Sequence, residues 1–331
     1  MRISSGFRAH EAHGNAVGAA RMKALVVGAN GFVGRHLVSH LISQGDQVAA
    51  TVMGAPIPGI ENSCHQLDIT DYTATGAVIR DVAPDVVYHL AAIAFVPEAE
   101  SNFEQTLRIN VGGASNVVRH CHLLDRGIKV VLISSAEVYG QIAPSDLPIK
   151  ETTALRPANN YSLSKQMAEL VAERYNRQKS VSTVTVRPFN HIGPGQDPRF
   201  VVSSFAQQLA MIARGRAQSV LSVGNLEARR DFSDVRDVVR AYRLIAEKGT
   251  GVFNVGSGRS RSIKEILDML IHISGLAVEV RQDPARMRGP EVPDLYGSID
   301  KAAADVAWRP EIPLEQSLRD VYNEWYEKLG S

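Results

Sequence analysis

Residues 24–34 read Ala24-Leu25-Val26-Val27-Gly28-Ala29-Asn30-Gly31-Phe32-Val33-Gly34, and this stretch decides the fold. The apolar run at 23–28 is a buried strand, and a helix opens at Phe32. Between them the glycines recur as Gly28-x-x-Gly31-x-x-Gly34. In such a strand–turn–helix the first glycine permits a tight turn. The second lets the backbone approach a pyrophosphate, and the third lets the helix lie on the strand. The helix N-terminus adds unpaired N–H groups and the positive end of a dipole. Gly28, Asn30, Gly31, Phe32, Val33 and Gly34 are therefore expected to hold the phosphates of a dinucleotide.

Working outward, strands and helices alternate. Residues 32–44 form a helix with Val33, Leu37, Val38 and Leu41 on one face and Gly45 as its stop. Strands are expected at 48–52, 85–90, 129–134 and 182–187, and helices at 103–125 and 161–178. Near-continuous apolar strands separated by helices argue for a parallel sheet covered on both faces. Beyond residue 190 the pattern changes. Pro194, Gly195 and Pro198 interrupt it. Helices follow at 199–214, 234–247 and 262–274, with one strand at 252–255. The expected architecture is α/β, a doubly wound parallel sheet over 22–190, with segments of 230–260 returning to it. Most of 191–331 is expected to form a smaller substrate-binding cap over the sheet's carboxyl edge.

The chain has 331 residues, 44% of them hydrophobic, enough for a full core. A net charge of +1 implies no bulk attraction to nucleic acid or to a membrane surface. Any anionic ligand must be held by local arginines. The two cysteines, Cys64 and Cys121, form no motif, which fits a reduced cytoplasmic protein. No apolar stretch approaches the roughly 20 residues that a membrane helix needs. No metal site is expected. Residues 1–21 show neither strand alternation nor a signal-like apolar region, and are expected to be a disordered extension outside the fold.

The chemistry is expected in a second segment, Tyr161-Ser162-Leu163-Ser164-Lys165, together with Ser134-Ser135-Ala136-Glu137. Tyr161 and Lys165 are four apart, so a helix places them on one face. A phenol with pKa near 10 is a poor base at neutral pH. A nearby ammonium, together with the positive nicotinamide ring of a bound dinucleotide, is expected to lower that value, so that Tyr161 can exchange a proton with a substrate oxygen. Ser135, at a strand end, can hydrogen-bond the same oxygen. Together with the glycine loop, this set points to hydride chemistry on a carbonyl or alcohol.

These residues, with His89-Leu90-Ala91-Ala92, Arg230-Asp231-Phe232 and Trp308-Arg309-Pro310, resemble the extended short-chain dehydrogenases/reductases over about residues 23–325. The resemblance implies a Rossmann-type fold and nucleotide-sugar substrates. It implies catalytic roles for Ser135, Tyr161 and Lys165. It also implies cofactor contacts from Leu90, Ala91, Ala92, Tyr161 and Lys165, and from Asp68 and Ile69 within Leu67-Asp68-Ile69. The second strand ends Ala50-Thr51-Val52-Met53-Gly54 without the acid that reads a ribose 2′-OH. That gap leaves room for a 2′-phosphate with Arg35 as its partner. NADPH is expected, with NADH the alternative.

Within the family, residues 187–196 (Arg-Pro-Phe-Asn-His-Ile-Gly-Pro-Gly-Gln), 283–288 (Asp-Pro-Ala-Arg-Met-Arg) and 95–99 (Phe-Val-Pro-Glu-Ala) are similar to reductases of GDP-linked 6-deoxy-4-keto-mannose, which make GDP-D-rhamnose. That resemblance implies a GDP-linked 4-keto-6-deoxy sugar as substrate and a homodimer paired through the helices near 103–123 and 161–178. Arg230 and Arg288 are the expected diphosphate ligands, and Asn190 and Glu137 the expected sugar contacts. Glu137 also suits a GDP-mannose 4,6-dehydratase, where an acid at this place removes the C5 proton. A dehydratase or a nucleotide-sugar 4-epimerase is therefore the alternative enzyme. A catalytically inactive dinucleotide sensor is the alternative from another class, and the intact Ser135/Tyr161/Lys165 set argues against it.

Overall fold

The structure is a computed structural model that describes residues 21–179, 181–287 and 292–330. The expected extension at 1–21 lies, apart from Arg21, outside the described residues. The first half of the chain runs β1 (Lys23–Val27), α1 (Phe32–Ser43), β2 (Gln47–Val52), β3 (Cys64–Gln66), α2 (Tyr72–Val82) and β4 (Val86–His89). Next come α3 (Val96–Ser101), α4 (Phe103–Thr106), α5 (Gly113–Leu124), β5 (Lys129–Ile133), α6 (Asn160–Arg177) and β6 (Ser182–Pro188). The second half runs β7 (Asn190–Ile192), α7 (Val201–Ala213), β8 (Val220–Val223), β9 (Arg229–Asp234), α8 (Val235–Lys248) and β10 (Gly251–Val255). It ends with β11 (Ser260–Ser262), α9 (Ile263–Ser274), β12 (Glu279–Gln282), β13 (Asp294–Leu295), α10 (Asp300–Val306) and α11 (Leu314–Lys328).

Seven strands form one parallel sheet in the order β3-β2-β1-β4-β5-β6-β10. Successive side chains of a strand point to opposite faces, and β1 is apolar toward both. Ala24 and Val26 pack with α1 and α8 residues such as Leu37 and Tyr242. Leu25 and Val27 pack on the other face with Ile79, Val117 and Ala168 of α2, α5 and α6. The strand order reverses beside β1, between β2 and β4, and the crevice at that point opens at the carboxyl ends of the strands. The glycine loop, the Leu90-Ala91-Ala92 segment and Ser135 all follow strands that end there.

A second core lies in the C-terminal half, where α7, α9 and α11 bury Phe205, Leu209, Leu267 and Leu318 with Leu221 and Phe232 of β8 and β9. β9 pairs with β7, β11 and β13 in a small sheet. α8 instead packs on α1 against the large sheet, and β10 joins that sheet beside β6.

The helix expected over 103–125 is interrupted. A π-helical stretch, Leu107–Gly112, separates α4 from α5. Asn110 in that stretch turns its amide into the protein. Its oxygen accepts from Ile93 N–H (2.8 Å), and its nitrogen donates to the Ile93 carbonyl (3.1 Å) and to Ser164 Oγ (2.9 Å). A widened turn frees a helix residue to reach across in this way, and such bulges concentrate near functional sites. The bond to Ser164 ties the segment to α6, the helix of Tyr161 and Lys165. On α6, Leu163, Met167 and Leu170 stay exposed at helical spacing, as does Leu123 of α5, on the two helices expected to pair across a two-fold axis.

Candidate active site

The phosphate loop is built from backbone. Gly28 has φ +85°, and a Cβ there would lie 2.8 Å from the Ala91 Cα and N. A Cβ on Gly34 would lie 2.6 Å from the Gly28 and Ala29 carbonyl oxygens, so only glycine lets α1 sit on the turn. Thr51 secures the loop from β2: its Oγ1 accepts from Gly28 N–H (3.1 Å), and its carbonyl accepts from Ala29 N–H (3.0 Å). Gly31 is the N-cap of the 12-residue α1, and no side chain caps its first turn. The first-turn N–H groups, of Phe32 and Val33 among others, are thus left to a ligand.

The adenosine end is built from side chains that hold one another. Asn30 Nδ2 donates to the Met53 carbonyl (2.8 Å), and the Arg35 Nε donates to the Asn30 carbonyl (3.1 Å) with its side chain exposed. Gln66 brackets Gly54, donating to its carbonyl at 2.6 Å and accepting from its N–H at 3.2 Å. Asp68 accepts from Thr70 N–H (2.9 Å) and Thr70 Oγ1 (2.8 Å), bonds that hold its carboxyl below the usual range. The cap of α2 is Asp71, so Asp68 is not the capping residue of that helix. Ile69 is buried against Gly113, where a Cβ would lie 2.8 Å from its Cγ2. Leu90, Ala91 and Ala92 are half-buried just past β4. A dinucleotide fits these residues: a glycine cradle that a Cβ would fill, an uncapped helix end and an open 2′ side.

The acid–base set lies where β5 and α6 meet. The Ser135 hydroxyl accepts from Glu137 N–H (3.2 Å) and opens the short helical turn Ala136–Tyr139. Burial pushes the Tyr161 phenol up to about 12; the Ser135 side chain beside it opposes this, and the charge of Glu137 adds to it. Burial pushes Lys165 down to about 8, opposed by the charge of Glu169. The expectation that an ammonium lowers the Tyr161 pKa is therefore corrected. Both groups are enclosed, and loss of water disfavours the phenolate more than any neighbour favours it. Burial therefore favours the neutral phenol. His89, beneath them on β4, is held neutral, pushed down to about 3 by burial and by the charge of Lys165.

Beside this set is a cleft of about 650 Å³, whose wall includes Glu137, Asn190, His191, Arg199, Arg230 and Arg286. Asn190 enters from β7, half-buried. Arg230 is fixed by its Nη1, which donates to the Arg229 (2.7 Å) and Val292 (2.8 Å) carbonyls. Asp231 is not its counter-ion. That buried carboxylate accepts from Ser257 N–H and Oγ (both 2.6 Å) and Gly258 N–H (3.0 Å), anchoring the loop after β10. Arg288 lies outside the described residues. His191 stacks on Phe32 at 6.0 Å and donates Nδ1–H to the Phe189 carbonyl (3.0 Å), joining the cleft wall to the glycine loop.

Sequence reasoning missed two cleft arginines. Arg286 donates to Ser204 Oγ (3.1 Å), and its carbonyl would lie 2.5 Å from a Cβ on Gly224. Arg199 pairs with Glu98 of α3 and with Asp197, both at 3.1 Å, and lies 4.9 Å over the Phe95 ring. Phe95 meets Phe200 edge-on at 5.8 Å, so α3 and the lead into α7 close one side of the cleft. The available signal was Asp197-Pro198-Arg199-Phe200, an arginine in the lead of a helix that borders the cleft. Among the described residues no group of three or more metal-binding side chains occurs, and no helix is long and apolar enough to cross a membrane.

Residues 25–321 match the family model described as GDP-mannose 4,6 dehydratase. The chain is 36% identical to the GDP-6-deoxy-D-mannose reductase of Pseudomonas aeruginosa, over 92% of this chain and 97% of that one. It is 24% identical to a GDP-mannose 4,6-dehydratase of Vibrio cholerae, over 92% and 94% respectively. The solved structure of RMD from Pseudomonas aeruginosa, complexed with NADPH, superposes with a TM-score of 0.83 at 35% identity, covering 92% of this chain and 99% of that chain.

Proposed function

Because the chain belongs to the GDP-mannose 4,6-dehydratase family, within the extended short-chain dehydrogenases/reductases, we propose that it reduces the C4 keto group of GDP-4-dehydro-6-deoxy-D-mannose to GDP-D-rhamnose with NADPH. The chain is an NAD(P)-dependent oxidoreductase of a family whose members include nucleotide-sugar reductases and dehydratases. The observation that carries the finer reading is Ala136 between Ser135 and Glu137, beside an enclosed Tyr161 whose burial favours the neutral phenol. A reductase needs a proton donor at the C4 oxygen and nothing at C5. A 4,6-dehydratase also needs an acid–base pair at C5 and C6, and Ala136 cannot supply the second member. The identity to a reductase, higher than that to a dehydratase, points the same way.

When bound, NADPH supplies the hydride that reaches C4. Tyr161 gives its phenolic proton to the C4 oxygen, and Ser135 hydrogen-bonds that oxygen as charge develops. The Lys165 ammonium then stabilises the phenolate left behind. Arg230, Arg199 and Arg286, with Arg288, offer the cations a nucleoside diphosphate needs. Asn190 and Glu137 face the sugar.

The test is to supply the purified chain with GDP-4-dehydro-6-deoxy-D-mannose and NADPH and to follow NADPH absorbance and the product by NMR. One NADPH should be consumed per sugar, with kcat/KM for NADPH at least equal to that for NADH. GDP-mannose should not be turned over. Glu137→Gln should retain keto-sugar reduction within about tenfold, about 1.4 kcal/mol of transition-state stabilisation. Conversion of GDP-mannose to the keto sugar, with no net change in NADPH, would make the chain a dehydratase.

A further inference from the structure

Below the acid–base set lies a buried carboxylate for which the reaction itself gives no use. Tyr161, Lys165 and Glu169 are spaced four apart on α6, so they follow one another along one side of the helix. Glu169 is 7% exposed and its partner Arg187, on β6, is 5% exposed. Arg187 grips both carboxylate oxygens, Nε to Oε1 at 3.0 Å and Nη2 to Oε2 at 2.7 Å. The Ser134 hydroxyl donates to Glu169 Oε1 as well. Ser134 immediately precedes Ser135, so the same carboxylate holds the strand end that presents Ser135. On its far side Arg187 donates to the Tyr139 hydroxyl (3.0 Å), which donates to Asn254 Oδ1 (2.8 Å). One carboxylate thus joins α6 to β5 and β6 and, through Arg187, to the turn after Ser135 and to β10.

We propose that Glu169 is a positioning residue for the reaction, one buried carboxylate that holds the Ser134–Ser135 strand end in place and sets its charge one helical turn from Lys165.

Stability alone is a weak reason to keep such a pair. Removing two charges from water costs much of what their attraction returns, and apolar pairs of similar volume are often as stable. A carboxylate one turn from an enclosed lysine does something an apolar residue cannot. Enclosure drives Lys165 toward its neutral form, and Glu169 is the charge that opposes this. The other ionisable groups around the pair come from every neighbouring element. They are His89 on β4, held neutral; Tyr161 on α6; Glu137 and Tyr139 in the turn after β5; Arg187 on β6; and Glu151 in the following loop. Burial keeps both phenols protonated, pushed up to about 12. Glu137 acts on Tyr161, and Glu151 on Tyr139, rather than on Lys165.

The test uses the full chain labelled with 13C at lysine Cε. Lys165 is assigned by the signal lost in Lys165→Arg, and its titration is followed by NMR without any sugar. In Glu169→Gln the Lys165 midpoint should fall by about one pH unit, a tenfold rise in its acidity constant. Glu169→Asp, which keeps the charge, should return most of that shift. Should Glu169→Gln fail to fold because Arg187 is left buried alone, Arg187→Met and Glu169→Gln/Arg187→Met form a pair that differs only at residue 169, and the Lys165 midpoint should be lower in the second. An unmoved Lys165 midpoint in a folded variant overturns the proposal, even if kcat drops, because loss of rate alone is what a merely structural role would give. The rate readout rests on the reductase reading. With keto sugar and NADPH, the decline of kcat toward alkaline pH should move down with the Lys165 midpoint. A shifted midpoint in a chain that does not reduce the sugar would leave the positioning role standing and remove the reductase reading.

Discussion

The two ends of the crevice are made differently. The phosphate end is a backbone device: Gly28 at φ +85°, Gly34 against two carbonyls, and a helix end with no side-chain cap. The sugar end is a side-chain device. Its arginines come from the lead into α7, from β9 and from the segment after β12, and each is fixed by a different carbonyl, hydroxyl or acid. A backbone device admits few residues, so it tolerates substitution poorly and is recognisable in any chain that uses it. A side-chain device depends on which distant segments meet, so it can be varied and leaves little local trace. Tyr161 sits between the two, where the proposed reduction would bring hydride and proton to one carbonyl.

The largest effect is expected at that junction. Tyr161→Phe removes the proton donor while keeping the ring's packing, and kcat should fall by roughly 10²–10⁴. Binding of the nucleotide sugar and of NADPH should change little, because the hydroxyl acts on the reacting oxygen. Steady-state kinetics with separate binding titrations decide this, and near-normal turnover would remove Tyr161 from the chemistry.

Gly28→Val should come next and should act on one end only. A β-branched residue at φ +85° is strained, and its Cβ would lie 2.8 Å from the Ala91 backbone. NADPH affinity should weaken at least about tenfold, about 1.4 kcal/mol, and Tm should fall. Affinity for the nucleotide sugar should hold in any folded sample. Fluorescence titration of NADPH checks it. An unchanged Kd would break the claim that this end is fixed by backbone shape.

The same contrast explains what could be read from the chain. The parallel sheet was legible because β1, β4 and β5 are apolar toward both faces, while β6 alternates Val184 and Val186 with buried Thr183, Thr185 and Arg187. The glycine spacing and the tyrosine–lysine spacing were legible because each is local to one turn or one helix. The π-helical stretch was not: Leu107–Gly112 has an ordinary helical pattern, and the change comes from Asn110 bonding Ile93 and Ser164, 17 and 54 residues away. The raised pKa of Tyr161 was not legible either. The lysine one turn away argues for a lowered value, and only enclosure by the assembled fold reverses it. Arg199 escaped because no motif marks an arginine in the lead of a helix, and Arg286 because the 283–288 segment holds two arginines and its spacing does not tell which one enters the cleft. Glu169 stands one turn beyond Lys165 in plain view, yet its meaning depends on Ser134 and Arg187, 35 and 18 residues distant.

The smallest effect is expected from Arg199, which tests how much a loop arginine contributes to the sugar end. Its side chain is 51% exposed, and Glu98 and Asp197 already share its charge. Exposed pairs of this kind contribute about 0–1 kcal/mol to stability, so Arg199→Ala should leave Tm almost unchanged. A diphosphate reaching the cleft would still gain from the guanidinium, but solvent and the two acids screen it. The expected result is a rise in KM for the nucleotide sugar of about threefold, with kcat held, and a difference from wild type that shrinks as salt is raised. The KM for NADPH should not move, since Arg199 borders the sugar cleft and not the glycine loop. A fall in kcat with KM held would mean that the contact between α3 and the lead into α7 closes over the reacting sugar. Arg199 would then belong with Tyr161 at the junction rather than with the wall.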